Sequence, residues 1–329
     1  MKKILLIATG GTIASKSTNY GLEPGINSEE LLECVPEAKA ICDITAEQLF
    51  NLDSSNMSPL HWLKISERIR QCYRYYDGFV ITHGTDTMAY TAAALSYLIQ
   101  LSPKPILLTG SQKSIYDRNT DARRNLVDAL RYAVCDQAHG VGVVFNGRAL
   151  IGTRARKTRT RSFNAFSSID YPDLAVIQEN RIICYIEPEY ESEPVFYEHL
   201  NPKVFLLPLV PGMDGDIFDS LADKYDALVV ESFGMGGIPA GNGTTLMEAV
   251  RRFTRSGHIL VLTTQVPHEG CDLEVYQVGQ QTKNELDIIE AHNMTIEAIM
   301  TKMMWILGQT KDPETVRMLF CSPVAKDLL

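Results

Sequence analysis

Two short polar segments place a glycine directly before a threonine, and the chemistry that they offer is that of a hydroxyl group. The first segment covers residues 9–15 (TGGTIAS) and the second covers residues 82–88 (THGTDTM). Glycine lets the backbone approach a substrate closely, but a free threonine hydroxyl is a poor nucleophile without a base or polarising group. Each segment taken singly is explained as a turn with a helix cap, with Asp86 as the N-cap of the second. Two such segments at adjacent strand ends favour a functional site.

Several common site motifs are missing from the sequence. It has no G-x-G-x-x-G, no P-loop, no G-x-S-x-G and no H-E-x-x-H, and its seven histidines show no ligand spacing. We therefore expect no cofactor and no metal. Any chemistry must come from threonine, serine, tyrosine, lysine and aspartate.

Short apolar runs that alternate with helical patterns supply the elements to position these residues. Strands are predicted over Lys3 to Ala8, Gly78 to Thr82, Pro105 to Thr109, Val141 to Phe145, Val204 to Leu207, Ala227 to Glu231 and Ile259 to Thr264. Helices are predicted from Pro59 to about Tyr75, Asp86 to about Leu101, Ala122 to Val134, Thr245 to Arg255 and Thr295 to Leu307. This alternation predicts an α/β fold with a mostly parallel sheet flanked by helices. Ligands bind beyond the carboxyl ends of such strands, where both glycine–threonine segments lie.

The length of 329 residues favours two domains. The strand–helix alternation breaks at an acidic, proline-containing stretch that begins at Glu187 and reads as a linker. We predict a larger N-terminal domain over residues 1–187, a linker over 188–203 and a smaller C-terminal α/β domain over 204–329.

Charge and cysteine content point away from several classes of partner. The net charge is −9, which disfavours binding to nucleic acid. No apolar run is long enough to cross a bilayer, and the N-terminal apolar run is too short for a signal peptide. The seven widely spaced cysteines indicate a reducing compartment rather than a disulfide framework. We therefore expect a cytoplasmic protein.

Four stretches of sequence carry a resemblance to a known family. Residues 8–14 (ATGGTIA) and 77–88 (DGFVITHGTDTM) are long near-matches at the correct separation, supported by residues 53–57 (DSSNM) and 109–112 (TGSQ). On these segments the chain resembles the bacterial-type L-asparaginase family in its cytoplasmic (type I) branch, over essentially its whole length. The resemblance implies hydrolysis of L-asparagine to L-aspartate and ammonia through a threonine nucleophile and an acyl-enzyme.

The resemblance also implies catalytic roles for five residues. Thr12 would attack the side-chain amide, and Tyr20, on a flap after the first strand, would polarise it. A second group would consist of Thr85, Asp86 and Lys157, in which a desolvated lysine serves as base. The basic run around Lys157 is otherwise explained as a solvated strand.

A further set of residues would bind substrate. It consists of Gly11, Asp53, Ser54, Ser55, Gly84, Thr85, Asp86 and Ser111. Asp86 would hold the α-ammonium group, and residues 53–55 would bracket the α-amino and α-carboxylate groups. Extracellular members carry glutamine where Ser55 stands and a neighbouring subunit's asparagine where Gly237 stands, which leaves the preference between asparagine and glutamine open.

The sequence leaves other functions open besides the asparaginase hypothesis. A glutaminase or the amide-cleaving subunit of a tRNA amidotransferase would use the same scaffold, although the latter usually brings extra domains. A non-enzymatic amino-acid sensor would not require the set of Thr12, Thr85, Asp86 and Lys157. The family resemblance further implies a homodimer or homotetramer in which Gly234 to Pro239 lie near the pocket of a partner subunit.

Overall fold

A computed structural model describes residues 1–18, 21–179, 181–187, 193–239 and 245–329. These residues form two units, Met1–Glu198 and His199–Leu329. Among the described residues, every helix is too short or too polar to cross a membrane.

The first unit contains most of the strands. They are β1 (Lys3–Gly10), β2 (Ser15–Thr18), β3 (Gly21–Pro24), β4 (Asp43–Leu52), β5 (Gly78–Thr82), β6 (Ile99–Gln100), β7 (Pro105–Thr109), β8 (Gly140–Phe145), β9 (Arg148–Ile151), β10 (Ala155–Lys157), β11 (Phe166–Ser168), β12 (Ala175–Gln178), β13 (Arg181–Cys184) and β14 (Val195–Phe196). Its helices are α1 (Ser28–Glu33), α2 (Ala38–Ile41), α3 (Pro59–Cys72), α4 (Met88–Leu98) and α5 (Ala122–Ala133). Single 3₁₀ turns cover Thr12–Ala14, Ser54–Asn56 and Tyr73–Tyr75.

An eight-stranded sheet with the order β13-β12-β9-β8-β7-β5-β1-β4 organises this unit. The pairings from β4 through β1, β5 and β7 to β8 are parallel, and those from β8 to β13 are antiparallel. The central strands read as continuous apolar runs because both faces are covered, and all five residues of β5 and of β7 are buried. Since β1, β5 and β7 are parallel neighbours, their carboxyl ends lie side by side.

Helices α4 and α5 show two different ways of covering the sheet. Ten of the eleven residues of α4 are buried, consistent with its almost wholly apolar sequence. In α5, exposed arginines on one side alternate with a buried face that includes Leu126 and Leu130.

The second unit contains a four-stranded sheet of order β15-β16-β17-β18, in which every pairing is parallel. The strands are β15 (Val204–Pro208), β16 (Ala227–Ser232), β17 (Ile259–Thr264) and β18 (Ile289–Glu290). The helices are α6 (Asp216–Ala222), α7 (Thr245–Arg255), α8 (Gln277–Glu285), α9 (Ile296–Gln309) and α10 (Pro313–Cys321). Its separate apolar core includes Phe218, Val230 and Phe253. The predicted fold class, a larger mostly parallel α/β domain followed by a smaller one, is confirmed.

Two predicted helices differ from the structure at their ends, and part of the predicted linker is a strand. Helix α3 ends at Cys72 and continues as a 3₁₀ turn, and α4 begins at Met88 with Thr87 as its N-cap, so Asp86 is not the cap. Within the predicted linker 188–203, residues 188–192 lie outside the described residues, whereas Val195–Phe196 form β14 and pair with β6. Residues 193–198 of the predicted linker therefore belong to the first unit.

Candidate active site

Three loops of the first unit meet at glycine residues that have no room for a side chain. A Cβ atom on Gly11 would lie 2.4 Å from the backbone nitrogen of Gly84, and one on Gly84 would lie 2.5 Å from Ser54 Oγ. Gly11 also has a φ of 82°, a left-handed conformation that disfavours other residues. The loops after β1 and β5 are thus in direct backbone contact, and the Ser54 side chain from the turn after β4 packs against Gly84. Parallel packing therefore brings together segments separated by 30 or more positions in the sequence.

Thr12 begins the 3₁₀ turn that follows β1 and Gly11. Its side chain is half-buried, while Ile13 and Ala14 behind it are buried. Two hydrogen bonds brace the turn: Ser15 Oγ donates to the Gly11 carbonyl at 3.0 Å, and Ile115 N donates to the Ile13 carbonyl at 3.3 Å. These bonds hold the backbone that carries Thr12 next to Gly11, the residue in contact with Gly84.

The Lys157 ammonium group contacts both Thr85 and Asp86. Lys157 Nζ donates to Thr85 Oγ1 at 2.7 Å and to Asp86 Oδ1 at 2.7 Å. Thr85 is 5% exposed, whereas the Asp86 side chain is 66% exposed. The trio of Lys157, Thr85 and Asp86 therefore combines a buried hydroxyl with a carboxylate that solvent or a ligand can reach.

Gln112 is a neighbour of this trio that the sequence-based set of site residues did not include. Thr85 Oγ1 donates to Gln112 Oε1 at 3.3 Å, and Gln112 Nε2 donates to the Ser162 carbonyl at 3.1 Å. The backbone N–H of Gln112 in turn donates to the Asp121 carboxylate at 2.9 Å. Its place directly beyond the carboxyl end of β7 was a usable signal, since that strand lies beside β5.

Asp53, Ser54 and Ser55 form one turn that is tied to the second glycine loop. Asp53 accepts hydrogen bonds from the backbone N–H of Ser55 at 2.8 Å and from its hydroxyl at 2.7 Å. These bonds, the backbone one first, lower the pKa of Asp53 and keep it ionised. Thr87 Oγ1 donates to the Ser54 carbonyl at 2.7 Å, and the Ser54 side chain itself is buried.

A buried hydrogen-bonded chain lies behind the second glycine loop. His83 Nδ1 lies 2.7 Å from the Gly84 carbonyl, and because a carbonyl only accepts, Nδ1 carries the proton. His83 Nε2 then accepts from the Thr91 hydroxyl at 2.9 Å, which in turn accepts from Trp62 Nε1 at 2.9 Å. Burial lowers the pKa of His83 to about 4, so the ring is neutral at physiological pH. The chain links α3 and α4 to the loop that carries Thr85.

The remaining predicted site residues differ in where the structure puts them. Ser111 is buried beyond β7 and donates to the Lys113 carbonyl. Tyr20 lies outside the described residues. Gly234 and Gly237 belong to the second unit, both with positive φ. Among the residues that the structure describes, no group of three or more histidine, cysteine, aspartate or glutamate side chains could hold a metal ion.

Comparison with protein families and known proteins identifies close relatives. The family model described as "Asparaginase, N-terminal" matches residues 3–190, and "Glutaminase/Asparaginase C-terminal domain" matches residues 203–320. An L-asparaginase of Thermococcus kodakarensis is 37% identical over 99% of both chains, and the solved structure of the thermostable L-asparaginase from that organism superposes with a TM-score of 0.93. L-asparaginase I from Vibrio cholerae is 27% identical over 100% of this chain and 99% of its own, with a TM-score of 0.88. A glutamyl-tRNA(Gln) amidotransferase component of Pyrococcus horikoshii is 34% identical, over 99% of this chain and 76% of its own length.

Proposed function

Because the chain belongs to the asparaginase family and is an amidohydrolase, we propose that it hydrolyses L-asparagine to L-aspartate and ammonia with Thr12 as nucleophile. The observation that carries this proposal is the Lys157 ammonium group placed 2.7 Å from both the Thr85 hydroxyl and the Asp86 carboxylate. A partly buried lysine beside a hydroxyl is an arrangement suited to proton transfer. It lies within the same loop cluster that positions Thr12.

In the first half-reaction, Thr12 Oγ attacks the side-chain amide carbon of asparagine. The C–N bond then breaks, the hydroxyl proton leaves with the departing ammonia, and an aspartyl ester of Thr12 remains. Backbone N–H groups of the loops around Gly11 and Gly84 would stabilise the oxyanion, each donor contributing about 3 kcal/mol. The direct contact between these two glycines supports this role, because it leaves no side chain between their backbones. Tyr20 remains the candidate that would polarise Thr12.

In the second half-reaction, water attacks the ester and returns the proton to Thr12. We assign activation of this water, or relay of its proton, to Thr85 with Lys157 and Asp86. The Thr85 hydroxyl accepts from Lys157 and donates to Gln112, so its proton points away from the ammonium group in the free enzyme. When substrate binds, the Thr85 proton has to turn away from Gln112. The hydrogen bond from Thr85 to Gln112 would then break.

Charged and polar groups around the loops would hold the amino-acid head of the substrate. The exposed carboxylate of Asp86 and the ionised Asp53 would bind the α-ammonium group. Hydroxyls of Ser54 and Ser55 would bind the α-carboxylate, with Ser111 completing the wall. The short serine side chains at these positions motivate our expectation that L-asparagine is preferred to L-glutamine.

Ammonia release with L-asparagine and L-glutamine side by side tests the proposed activity. We expect a much larger kcat/KM for asparagine, and an equal or greater value for glutamine would overturn the substrate assignment.

The similarity to a component of a tRNA amidotransferase favours a second candidate, an amide-cleaving role in transamidation. Such a role predicts that asparagine is a poor substrate and that activity depends on a partner protein and tRNA.

Intact-protein mass spectrometry after mixing with asparagine tests the assignment of the two threonines. In Thr85→Val, attack by Thr12 continues while water attack fails, so an acyl-enzyme should accumulate. In Thr12→Ala no covalent species should form, although L-aspartate should still bind. An adduct mapped to Thr85 in the Thr12→Ala variant would reverse the two roles.

We further propose a homodimer, or a tetramer made of two dimers, with Gly234 to Pro239 near the pocket of the partner subunit. Exposed apolar side chains of the second unit support this, including Phe233, Val266 and Tyr276, which are 39%, 47% and 60% exposed. Sedimentation at assay concentration checks it, and an active monomer would contradict it.

A further inference from the structure

Two cysteine thiols of the first unit face each other away from the proposed catalytic residues. The Sγ atoms of Cys135 and Cys184 lie 3.8 Å apart, although 49 positions separate the two residues. Both thiols are free and half-buried. Cys135 lies in the bend that follows α5, and Cys184 is the last residue of β13, the strand at one edge of the eight-stranded sheet.

This placement is close to what a disulfide requires. A disulfide joins sulfur atoms at about 2 Å, so the two atoms have to approach by less than about 2 Å. Both cysteines lie away from the middle of the sheet and of the helices. Cys135 is outside regular structure, and β13 pairs in this sheet with β12 alone among the described strands.

We propose that Cys135 and Cys184 form a redox-modification site whose co-substrate is a low-molecular-weight disulfide. One cysteine thiolate attacks a sulfur of that disulfide, which forms a mixed disulfide and releases one small thiol. The second cysteine thiolate attacks the protein sulfur and releases the other small thiol. Two protein thiols are thereby oxidised to one disulfide, the small disulfide is reduced to two thiols that take up the two protons, and an excess of small thiol reverses the exchange.

The local environment sets the rate of this exchange. Burial, together with the neighbouring Cys135, raises the pKa of Cys184 to about 11. Since the thiolate is the reactive form, little of Cys184 is reactive at neutral pH. The step that Cys184 carries out should therefore accelerate by about tenfold per pH unit between about pH 7 and pH 9. The site responds to sustained oxidation rather than to brief exposure.

The disulfide would close a loop that contains β8 to β13 and therefore Lys157. A cross-link of this kind reduces the freedom of the unfolded chain and so opposes unfolding of the segment. Cys135 and Cys184 face each other, whereas Lys157 bonds to Thr85 and Asp86. We therefore expect the oxidised protein to keep its activity and to lose it more slowly on heating.

The test is oxidation of the folded full-length chain with oxidised glutathione at about pH 8, quenched by alkylation and followed by peptide mass spectrometry. We expect a peptide that links Cys135 to Cys184 and weighs about 2 Da less than the two reduced peptides together, because two hydrogens are lost. These two thiols should be lost in addition to those, such as the exposed Cys321, that glutathione caps. The matched control Cys34→Ser should form the same linked peptide. Cys135→Ser should form no internal disulfide.

Two results would overturn the proposal. One is a Cys184 linked to a cysteine other than Cys135. The other is alkylation of both Cys135 and Cys184 under conditions in which the exposed Cys321 has been fully glutathionylated, because the oxidant was then demonstrably active. The stabilising consequence is checked separately: unchanged heat inactivation of the oxidised protein, or no reversal by dithiothreitol, would contradict it.

Discussion

Acidification below neutral pH is expected to destabilise this protein by about 3 kcal/mol through His83 alone. The imidazole is fully buried behind the loop that carries Thr85, and burial lowers its pKa from the ordinary 6.5 to about 4. The Gly84 carbonyl that accepts from Nδ1 opposes this shift, but the loss of hydration is the larger effect.

The sign and range of the effect follow from which state binds the proton. Above pH 6.5 the ring is neutral in both the folded and the unfolded chain, so the full stability is present. Between pH 6.5 and about 4 the unfolded chain takes up a proton that folded His83 does not, so the free energy of unfolding falls as the pH falls. Below about pH 4 both states are protonated and the loss from His83 stops increasing. The interval between the two pKa values, at about 1.4 kcal/mol per unit, yields the figure of about 3 kcal/mol.

Urea unfolding at a series of pH values measures this contribution. In His83→Asn the amide can still donate to the Gly84 carbonyl but does not titrate. The variant should therefore show a shallower dependence of unfolding free energy on pH, by about 1.4 kcal/mol per unit between about pH 4.5 and 6. Equal slopes for the His83→Asn variant and the unaltered protein would refute the reasoning, as would an NMR titration that places the pKa of His83 near 6.

Three further predictions concern other parts of the molecule. Gly11→Ala should lower kcat/KM by about 100-fold, because its Cβ would lie 2.4 Å from Gly84 N and displace the loops. The control Gly140→Ala, also at positive φ but in open space, should keep full activity, and equal losses in the two variants would contradict the steric argument. Asp327→Asn should lower the free energy of unfolding by about 3–5 kcal/mol, since the fully buried Lys302 ammonium 2.7 Å away would lose its counter-charge; Glu274→Gln, in an exposed ion pair, should change it little in the same urea titration. Exhaustive dialysis against EDTA should leave ammonia release intact, and a loss that one divalent ion restores would contradict a metal-free mechanism.

Strand-forming runs and their glycine–threonine ends were predictable from the sequence because parallel strands buried on both faces need uninterrupted apolar side chains. The strand Pro105–Thr109 was predicted with its observed bounds, and α7 was likewise predicted as Thr245–Arg255. Less regular elements were harder. Strand β4 was not predicted, because its sequence mixes apolar residues with Glu47, Gln48 and Asn51 and its residues are mostly half-buried. The start of α4 was placed two residues early, since Asp86 is a good capping residue by type but contacts Lys157 instead.

The proximity of Lys157 to Thr85 illustrates what local sequence does not encode. The two residues are 72 positions apart, and no spacing rule connects them. Resemblance to a family pointed to this pair, whereas the contact itself comes from the short β10–β11 hairpin of the first unit. Gln112 and the His83–Thr91–Trp62 chain show the same limit, because hydrogen bonds between distant segments depend on how the elements pack.

By itself the sequence determined the central strands and the longer helices of both units, the α/β class, the two glycine–threonine loops and the family. These depend on local patterns of polarity and on residue types that read along the chain. Only the tertiary structure decided that Gly11, Ser54 and Gly84 touch, that Lys157 bonds to both Thr85 and Asp86, and that Cys135 faces Cys184. The physical reason is that strand order and helix packing set these distances, and both arise from burying apolar faces across the whole unit rather than from any short stretch of residues.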